Sequence, residues 1–461
     1  MAKKMKITAP VAEVDSKDLI VLIGRKDIDQ AKSLFTNNTD RIQKARKQYE
    51  KKSHVINDRT DKQITLKDGN IEKIKQWKLP LTYQKKIVQS AVAFLLGKPI
   101  KIIQESDDKS DIIFKELISL RDSMRMKSID QECAKIMFSE TECVKLFVPF
   151  VDENNPTEAK LRCVLLSASK GDRIFTKYDE YGTLEAFARG YDVKVGEADE
   201  EHLDIYTAEV IYKCIKGSTW EVATEDNKLK KIPATIYDQD APEWDDVQEL
   251  IERREWLTSK RADTNDYSAD PILVLTADAL PSLPEKEAAG KVIHLKGAGA
   301  KAEYMFPQMS VDMVANEKED LKELIHYLTD TPDLSMDKMS SLGLTSGKAI
   351  EMAFYGAILK AMGKQGYFEE MIDRELNILK AFLKNIVHVD KKLAIDELET
   401  SIVFGNPLPD DFLDKINMLS TAVGGKAIMS VATAVGQNPL IQDAAFEIEE
   451  LKKDNIDNLE P

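Results

Sequence analysis

The segment GLTSGKA, Gly343 to Ala349, is the one stretch whose residue types could cradle a phosphate. A glycine-rich loop leading into a helix offers backbone N–H groups and the positive end of the helix dipole. It departs from a phosphate loop twice. Three residues separate its glycines where four are required, and Ala349 stands where a Ser or Thr hydroxyl would hold magnesium. No apolar strand precedes it. The simpler reading is that Thr345, Ser346 and Gly347 open a helix; a nucleotide-hydrolysing enzyme acting through Gly343 to Ala349 is the alternative. GAGAKA, Gly297 to Ala302, lacks the third glycine and the following helix of a dinucleotide fingerprint, and it reads as a turn.

Other chemistry is thinner still. His54, His202, His294, His326 and His388 show no HxxxH, HxH or His-Cys spacing, so no metal site is expected. Cys133, Cys143, Cys163 and Cys214 form no CxxC pair and lie in apolar or β-like runs, which reads as reduced thiols. There is no GxSxG elbow, and no acid–base pair stands out among 80 Asp and Glu residues. The expectation is a chain with no catalytic residue, no metal and no cofactor.

The elements must therefore be read for architecture. The chain has 461 residues, 43% of them hydrophobic, with 65 Lys and Arg against 80 Asp and Glu, a net charge of -15. This is ample for a sizeable core and two to four domains. The longest strongly apolar segment, Ile87 to Gly97, has about half the ~20 residues a bilayer crossing needs. MAKKMKITAP lacks the apolar core of a signal peptide, so synthesis and folding in cytoplasm, away from membrane, are expected. An acidic surface repels phosphates, which argues against wrapping of nucleic acid by the whole molecule. The basic run from Arg41 to Lys52, with Glu50 its single acid, reads as a solvated helix face.

Apolar spacing predicts helices over Asp27 to Val55, Tyr83 to Leu96, Asp111 to Met126 and Ser128 to Ser139, with a short strand at Ile100 to Gln104. From Glu142 to Thr224, β-rich runs separated by Gly, Asn and Asp turns predict antiparallel sheet, so the class is α+β. An acidic helix from Glu243 to Lys260 follows, ending in Asp263, Asn265 and Asp266. A small β unit has strands at Ile272 to Leu275, Val292 to Leu295 and Ala302 to Phe306, and a second acidic helix starts from Ser310. Thr331 to Thr345 reads as an exposed loop. A long helix runs from Ser346 to Val387, where Gly356, Gly363 and Gly366 predict a kink or a close helix contact. The strand SIVFGNPLP and a helical tail broken at Gly424-Gly425 and Asn438-Pro439 complete the chain.

Four blocks in this order resemble the portal, or head-to-tail connector, proteins of tailed bacteriophages, of the short-chain type. LTYQKKIVQSAVAFLLGKPI, Leu81 to Ile100, resembles that family's early helix with its Leu-Gly-Lys-Pro-like turn. Asp245 to Asp266 followed by ILVL resembles the first stem helix entering the clip. TPDLS with SGKAIEMAF, Thr331 to Phe354, resembles the tunnel loop and the start of the long helix, and NPLIQDAAFEIEEL, Asn438 to Leu451, the C-terminal block. The resemblance implies a mainly helical fold with wing, stem, clip and crown, its β-rich part in the wing and a small β unit in the clip. It divides the chain into wing 1–240, first stem helix 241–266, clip 267–309, second stem helix 310–330, tunnel loop 331–346, wing again 347–407, and crown with tail 408–461.

The resemblance further implies a non-enzymatic ring, usually of twelve copies, at one capsid vertex of the virion; another virion or scaffold component, which binds capsid subunits without enclosing DNA, is a further alternative. Such a ring is made in the bacterial host cytoplasm and conducts double-stranded DNA during packaging and ejection. Its implied partners are the terminase large subunit, the major capsid and scaffold proteins, and a head-completion or adaptor protein. Twelve helices ~10 Å wide give a circumference near ~120 Å and a lumen of roughly 28 Å, enough for B-form DNA. Glu243 to Asp263 holds seven acids and four bases, and Val311 to Asp330 six acids and two bases, so a wall of low adhesion to DNA is expected. Asp246, Glu249, Glu252, Glu317, Asp320 and Glu323 are its candidates. Closing the ring needs a heterologous interface, for which Val247, Leu250, Ile251 and Leu257 on one helix and Leu321, Leu324, Ile325 and Leu328 on the other are candidates. Packing of those stripes within one chain is the equal alternative. Leu334, Ser335, Met336, Lys338, Met339, Ser340 and Ser341 would project into the bore, where Lys338 could touch phosphate.

Overall fold

The computed structural model describes residues 19–65, 70–105, 111–152, 155–196, 198–269, 272–276, 301–305, 311–335, 352–405, 412–424, 428–438, 440–441 and 444–457. It opens with two short helices, α1 (Leu19–Gly24) and α2 (Ile28–Lys32), the second capped by Asp27. The single helix expected from Asp27 to Val55 is broken here. Thr36 leaves the helix to bridge Thr176, its N–H donating to that carbonyl at 2.8 Å, and Asn37 Oδ1 then accepts the Thr39 N–H. Only after this does α3 (Thr39–Tyr49) begin. A hairpin of β1 (Lys62–Thr65) and β2 (Ile71–Ile74) follows, then α4 (Tyr83–Leu96), which has the expected bounds and is stopped at Gly97. Next come β3 (Lys101–Gln104), α5 (Asp111–Ser123) and α6 (Met126–Glu140). Left-handed residues, Arg125 at φ 59° and Thr141 at φ 72°, stand at the two ends of α6.

The β region is antiparallel, as the turn spacing predicts. It comprises β4 (Glu142–Asp152), β5 (Asn155–Leu166), β6 (Arg173–Tyr178), β7 (Leu184–Val195), β8 (Ala198–Tyr206), β9 (Val210–Lys216), β10 (Trp220–Asp226) and β11 (Ala234–Asp238). Five strands form one sheet in the order β10-β9-β8-β7-β6, and three form another, β11-β4-β5. One face of the larger sheet, with Ala188, Leu203 and Ile205, buries Leu22 and Ile23 of α1 and Ile28 of α2.

A 3-10 turn, Asp245–Val247, leads into α7 (Gln248–Ala269). β12 (Ile272–Thr276) pairs antiparallel with β13 (Lys301–Met305), and α8 (Val311–Leu328) follows. The expected strand Val292 to Leu295 lies outside the described residues. α9 (Tyr355–Phe382) is the longest helix described and ends in a π-turn at Leu383–Val387. No break occurs at its glycines. Gly356 is a close approach, since a Cβ there would sit 2.8 Å from Asp330 Oδ1, whereas Gly363 and Gly366 face open space. α10 (Lys392–Asp396), β14 (Thr400–Val403) paired with β3, α11 (Phe412–Val423), α12 (Val431–Gln437) and α13 (Ala444–Asp457) complete the chain.

The principal core joins α4, α6, the start of α7 and α9 through Leu95, Phe138, Trp244, Ile251 and Phe368. Each such side chain contributes roughly 1.5–3 kcal/mol on burial. A second core joins α5 to the end of α9 through Leu117, Leu379 and Phe382. Against these cores sits a buried ionic cluster. Lys145 of β4 donates to Glu375 Oε2 at 2.9 Å and to Tyr237 Oη at 3.1 Å, and pairs with Asp130. Arg121 pairs with Asp130 at 3.0 Å and with Glu375. Two cations and two carboxylates thus neutralise one another and tie α5, α6, β4 and α9 together.

Candidate functional site

α7 and α8 form an antiparallel hairpin. Arg253 donates through Nε and Nη2 to Glu317 Oε1 at 2.9 and 2.7 Å, and Arg254 donates to the Lys318 carbonyl. Towards the other end, Val247 and Ile251 meet Ile325 in the principal core. Beyond the far ends of the helices, the β12–β13 ribbon joins Ile272 to Met305 and Thr276 to Lys301.

α7 is longer than its acids predict, running past Asp263 and Asp266 to Ala269. Those acids do not end the helix because another segment occupies them. The Trp77 N–H donates to Asp263 Oδ1 at 2.7 Å, Arg59 pairs with Asp263 Oδ2 at 2.6 Å, and the Trp77 indole donates to Asp266. Further along, Leu79 N–H donates to Ser259 Oγ at 2.9 Å, and Leu81 N–H to Glu255 Oε1 at 2.7 Å. Residues 54–59 and 77–81 therefore form a strap along α7. Sequence periodicity carries no sign of it, because its contacts are backbone N–H groups meeting side chains more than 170 residues away.

The strap redistributes charge. Of the seven acids between Glu243 and Asp263, Glu255 is buried against His54, Asp263 is held by Arg59, and Glu243 is buried between Lys360 and Lys364 at 2.8 and 2.6 Å. Burial works against ionised Glu243, but the two lysines outweigh it and hold its carboxyl below the usual range. Four acids then remain towards solvent on α7 and its leading turn, against the bases Arg253, Arg254, Lys260 and Arg261. Asp246 and Glu249 are exposed, and Glu252 is half-buried and accepts from Gln248 at 2.8 Å. Lys260 and Arg253 flank the Trp256 ring at 4.5 and 5.5 Å. On α8, Asp320 and Glu323 are exposed and Glu317 is paired with Arg253. The acidic surface of the hairpin is thus carried by α8 and the first turns of the α7 segment.

The apolar stripes divide likewise. Val247, Ile251 and Ile325 belong to the chain's own core, with Leu250 packed against it, and Leu257 and Leu321 are buried. Leu324 and Leu328, at 44% and 50% exposure, are the members left for an outside contact.

After α8 the chain turns sharply. Asp330 has φ 51°, Thr331 N–H donates to the His326 carbonyl at 3.0 Å, and His326 Nδ1 lies 2.8 Å from the Thr331 carbonyl. Asp333 then ties the loop back, accepting from Lys322 at 2.8 Å and from the Ser335 N–H at 3.1 Å. Partial burial opposes its ionisation, but Lys322 and the Ser335 N–H prevail and hold the carboxyl at about 2. Leu334 is exposed and Ser335 half-buried. Met336, Lys338, Met339, Ser340 and Ser341 lie outside the described residues, as do Gly343 to Ala349 and the glycines of Gly297 to Ala302.

Among the described residues, no group of three His, Cys, Asp or Glu side chains could hold a metal ion. None of the described helices is long and apolar enough to cross a membrane. Cys133 and Cys143 are buried, and burial raises the Cys143 thiol well above its ordinary value. One surface went unread in the sequence: Met352, Tyr355, Leu359 and Met362 are all exposed. Their spacing of three, four and three residues was its visible signal.

A comparison with curated proteins returned no match. Among solved structures, the neck of native GTA particle computed with C12 symmetry aligns at TM-score 0.41 and 11% identity, covering 77% of this chain and 88% of that one. The neck of empty GTA particle computed with C6 symmetry aligns at TM-score 0.43 and 12% identity, covering 76% and 87%. The family model described as phage portal protein, SPP1 Gp6-like, matches residues 29–460. The helical hairpin, its β ribbon and the long helix all lie inside that match, and the chain belongs to the SPP1 Gp6-like phage portal protein family.

Proposed function

We propose that copies of this chain close into a ring at one capsid vertex of a virion, and that its bore is the passage for double-stranded DNA during packaging and ejection. The observation that carries this reading is the α7–α8 hairpin with its paired β12–β13 ribbon, inside a chain of the portal family. Such a hairpin is a rod, 22 residues long on its longer side, or about 33 Å at ~1.5 Å per residue. Rods of this length standing side by side make a tube wall.

In this reading α7 and α8 are the stem, 267–309 the clip, 331–346 the tunnel loop and 408–461 the crown and tail. The packaging motor's terminase large subunit, a head-completion protein, and the capsid and scaffold proteins are its partners. The chain's role is mechanical and needs no catalytic group. Exposed Asp246, Glu249, Asp320 and Glu323 would present DNA with like charge, so few counterions would be released on contact and adhesion would be weak. The tunnel loop leaves from a base fixed by Asp333 and Lys322, which favours a defined placement of Leu334 and Ser335.

Native mass spectrometry and electron-microscopy class averages of the purified chain test this reading. The expected result is a ring with a central hole wide enough for a duplex. A monomer under every condition of salt and concentration overturns it.

A further inference from the structure

α4 and α9 pack together as a two-helix layer. Ile87, Ala91 and Phe94 of α4 meet Ala357, Lys360 and Ala361 of α9 along the seam. On a helix, residues two positions away point roughly 200° round the axis, so each helix has a far side. The far side of α9 is a ridge. Tyr355, Leu359 and Met362 are exposed at 58%, 48% and 57% and recur at helical spacing, and Met352, 75% exposed, precedes the helix across the Phe354 turn. Gly363 and Gly366 continue the same side, and a Cβ at either would meet nothing within 4 Å, so another backbone can come close there. The line then turns acidic at Glu369, Glu370 and Asp373, with Arg374 pairing Glu370 at 2.7 Å.

The far side of α4 is a groove. Lys85, Val88, Gln89, Val92 and Ala93 line an open cleft of 640 Å³, walled by Tyr49 of α3 and by α6. Its floor is apolar and its rim basic. Lys85 and Lys135 are exposed there, and the one acid, Glu132, is already paired with Lys170 at 2.8 Å. Lengths agree as well. Tyr355 to Gly366 covers about 17 Å, and Lys85 to Gly97 about 18 Å, at ~1.5 Å per residue.

We propose that the α9 ridge of one copy seats in the α4 groove of the next. Ridge and groove lie on opposite sides of one layer and complement each other in relief, in apolar character and in charge. That is what a heterologous contact needs, because each copy must offer one surface forward and a different one backward. The inference rests on the ring reading and assigns its neighbour contact to the α4–α9 layer, beside whatever the stem contributes.

Cysteine cross-linking of the full chain tests it. A Gln89→Cys, Leu359→Cys double variant, mildly oxidised, should give a covalent ladder climbing to the full ring. Each single variant should give none, and a mixture of the two singles should stop at dimers. Dimers from Leu359→Cys alone mean ridge against ridge and overturn the proposal. Closed rings in class averages with no ladder leave the ring standing and overturn this interface, whereas absent rings overturn both. As a second readout, Tyr355→Asp with Leu359→Asp should lower the ring population at least tenfold, with unchanged far-ultraviolet circular dichroism. Intact rings in that variant, including rings that lose only a foreign protein partner, overturn the assignment.

Discussion

Nδ1 of His54 and Oε1 of Glu255 lie 2.6 Å apart across 201 residues of sequence, both side chains buried. The same oxygen accepts the Leu81 N–H, so one carboxylate fastens both ends of the strap to α7. Glu255→Ala would leave the buried His54 ring donor and the half-buried Leu81 N–H unmatched, at a cost of about 2–4 kcal/mol. Limited proteolysis should then cut between residues 54 and 81 roughly tenfold faster. An unchanged cutting rate would mean that Asp263 and Ser259 hold the strap unaided.

Lys145→Met removes one cation from the buried cluster and leaves Asp130 and Glu375 to share Arg121. Breaking a buried pair in this way costs about 3–5 kcal/mol. Denaturant unfolding should show that loss. A difference below about 1 kcal/mol would show that Arg121 alone can neutralise both carboxylates.

The two contacts that brace the helices should respond differently. Arg253 and Glu317 are both substantially exposed, and Arg253→Ala should change stability by less than about 0.5–1 kcal/mol. Glu243 is buried between two lysines of α9, and Glu243→Ala should cost about 2–4 kcal/mol. Thermal melts of the two variants, side by side, check the ranking.

Glu142 opens β4 in a buried site, where Asn38 donates to Oε1 at 2.8 Å and Oε2 makes no hydrogen bond. Burial outweighs Asn38 and Arg41 and pushes the carboxyl up to about 7. A raised carboxyl binds its proton more tightly in the folded chain than in the unfolded one. Its contribution therefore favours folding at low pH, declines as pH climbs from 4.5 to about 7, and is a constant penalty above that. The penalty is of order 3 kcal/mol. Glu142→Gln should remove this slope and melt higher than the parent chain at pH 8; parallel pH–melting curves for the two would refute the assignment.

In the proposed ring, neutralising the exposed acids with Asp246→Asn, Glu249→Gln, Asp320→Asn and Glu323→Gln should make the bore adhesive. Slower duplex translocation at low salt, recovering as salt rises, is the expected reading in a packaging assay. Equal rates at every salt concentration would remove these four residues from the channel wall.

Much of this architecture is legible residue by residue. α4 is read at its true bounds because Gly97 and Pro99 punctuate an otherwise uniform apolar helix. The antiparallel run from Glu142 and the α7–ribbon–α8 order follow from period and turns alone. What escapes is whatever one distant residue does to another. Thr36 breaks a helix because Thr176 is waiting for it, and Asp263 fails to end one because Trp77 and Arg59 occupy it. Lys145, in a run of apolar strand residues, gives no hint that its partners are at 130 and 375. The charge count on α7 misleads for the same reason, since composition does not say which acids face inward.

The β12–β13 pairing has an evolutionary corollary. Thr276 and Lys301 sit opposite each other in the ladder, so the chain leaves the ribbon and returns to it at neighbouring points. Whatever is spliced between them hangs from a closed clasp. Insertions or deletions between residues 277 and 300 would leave the separation of those two ends unchanged, because the ladder sets it.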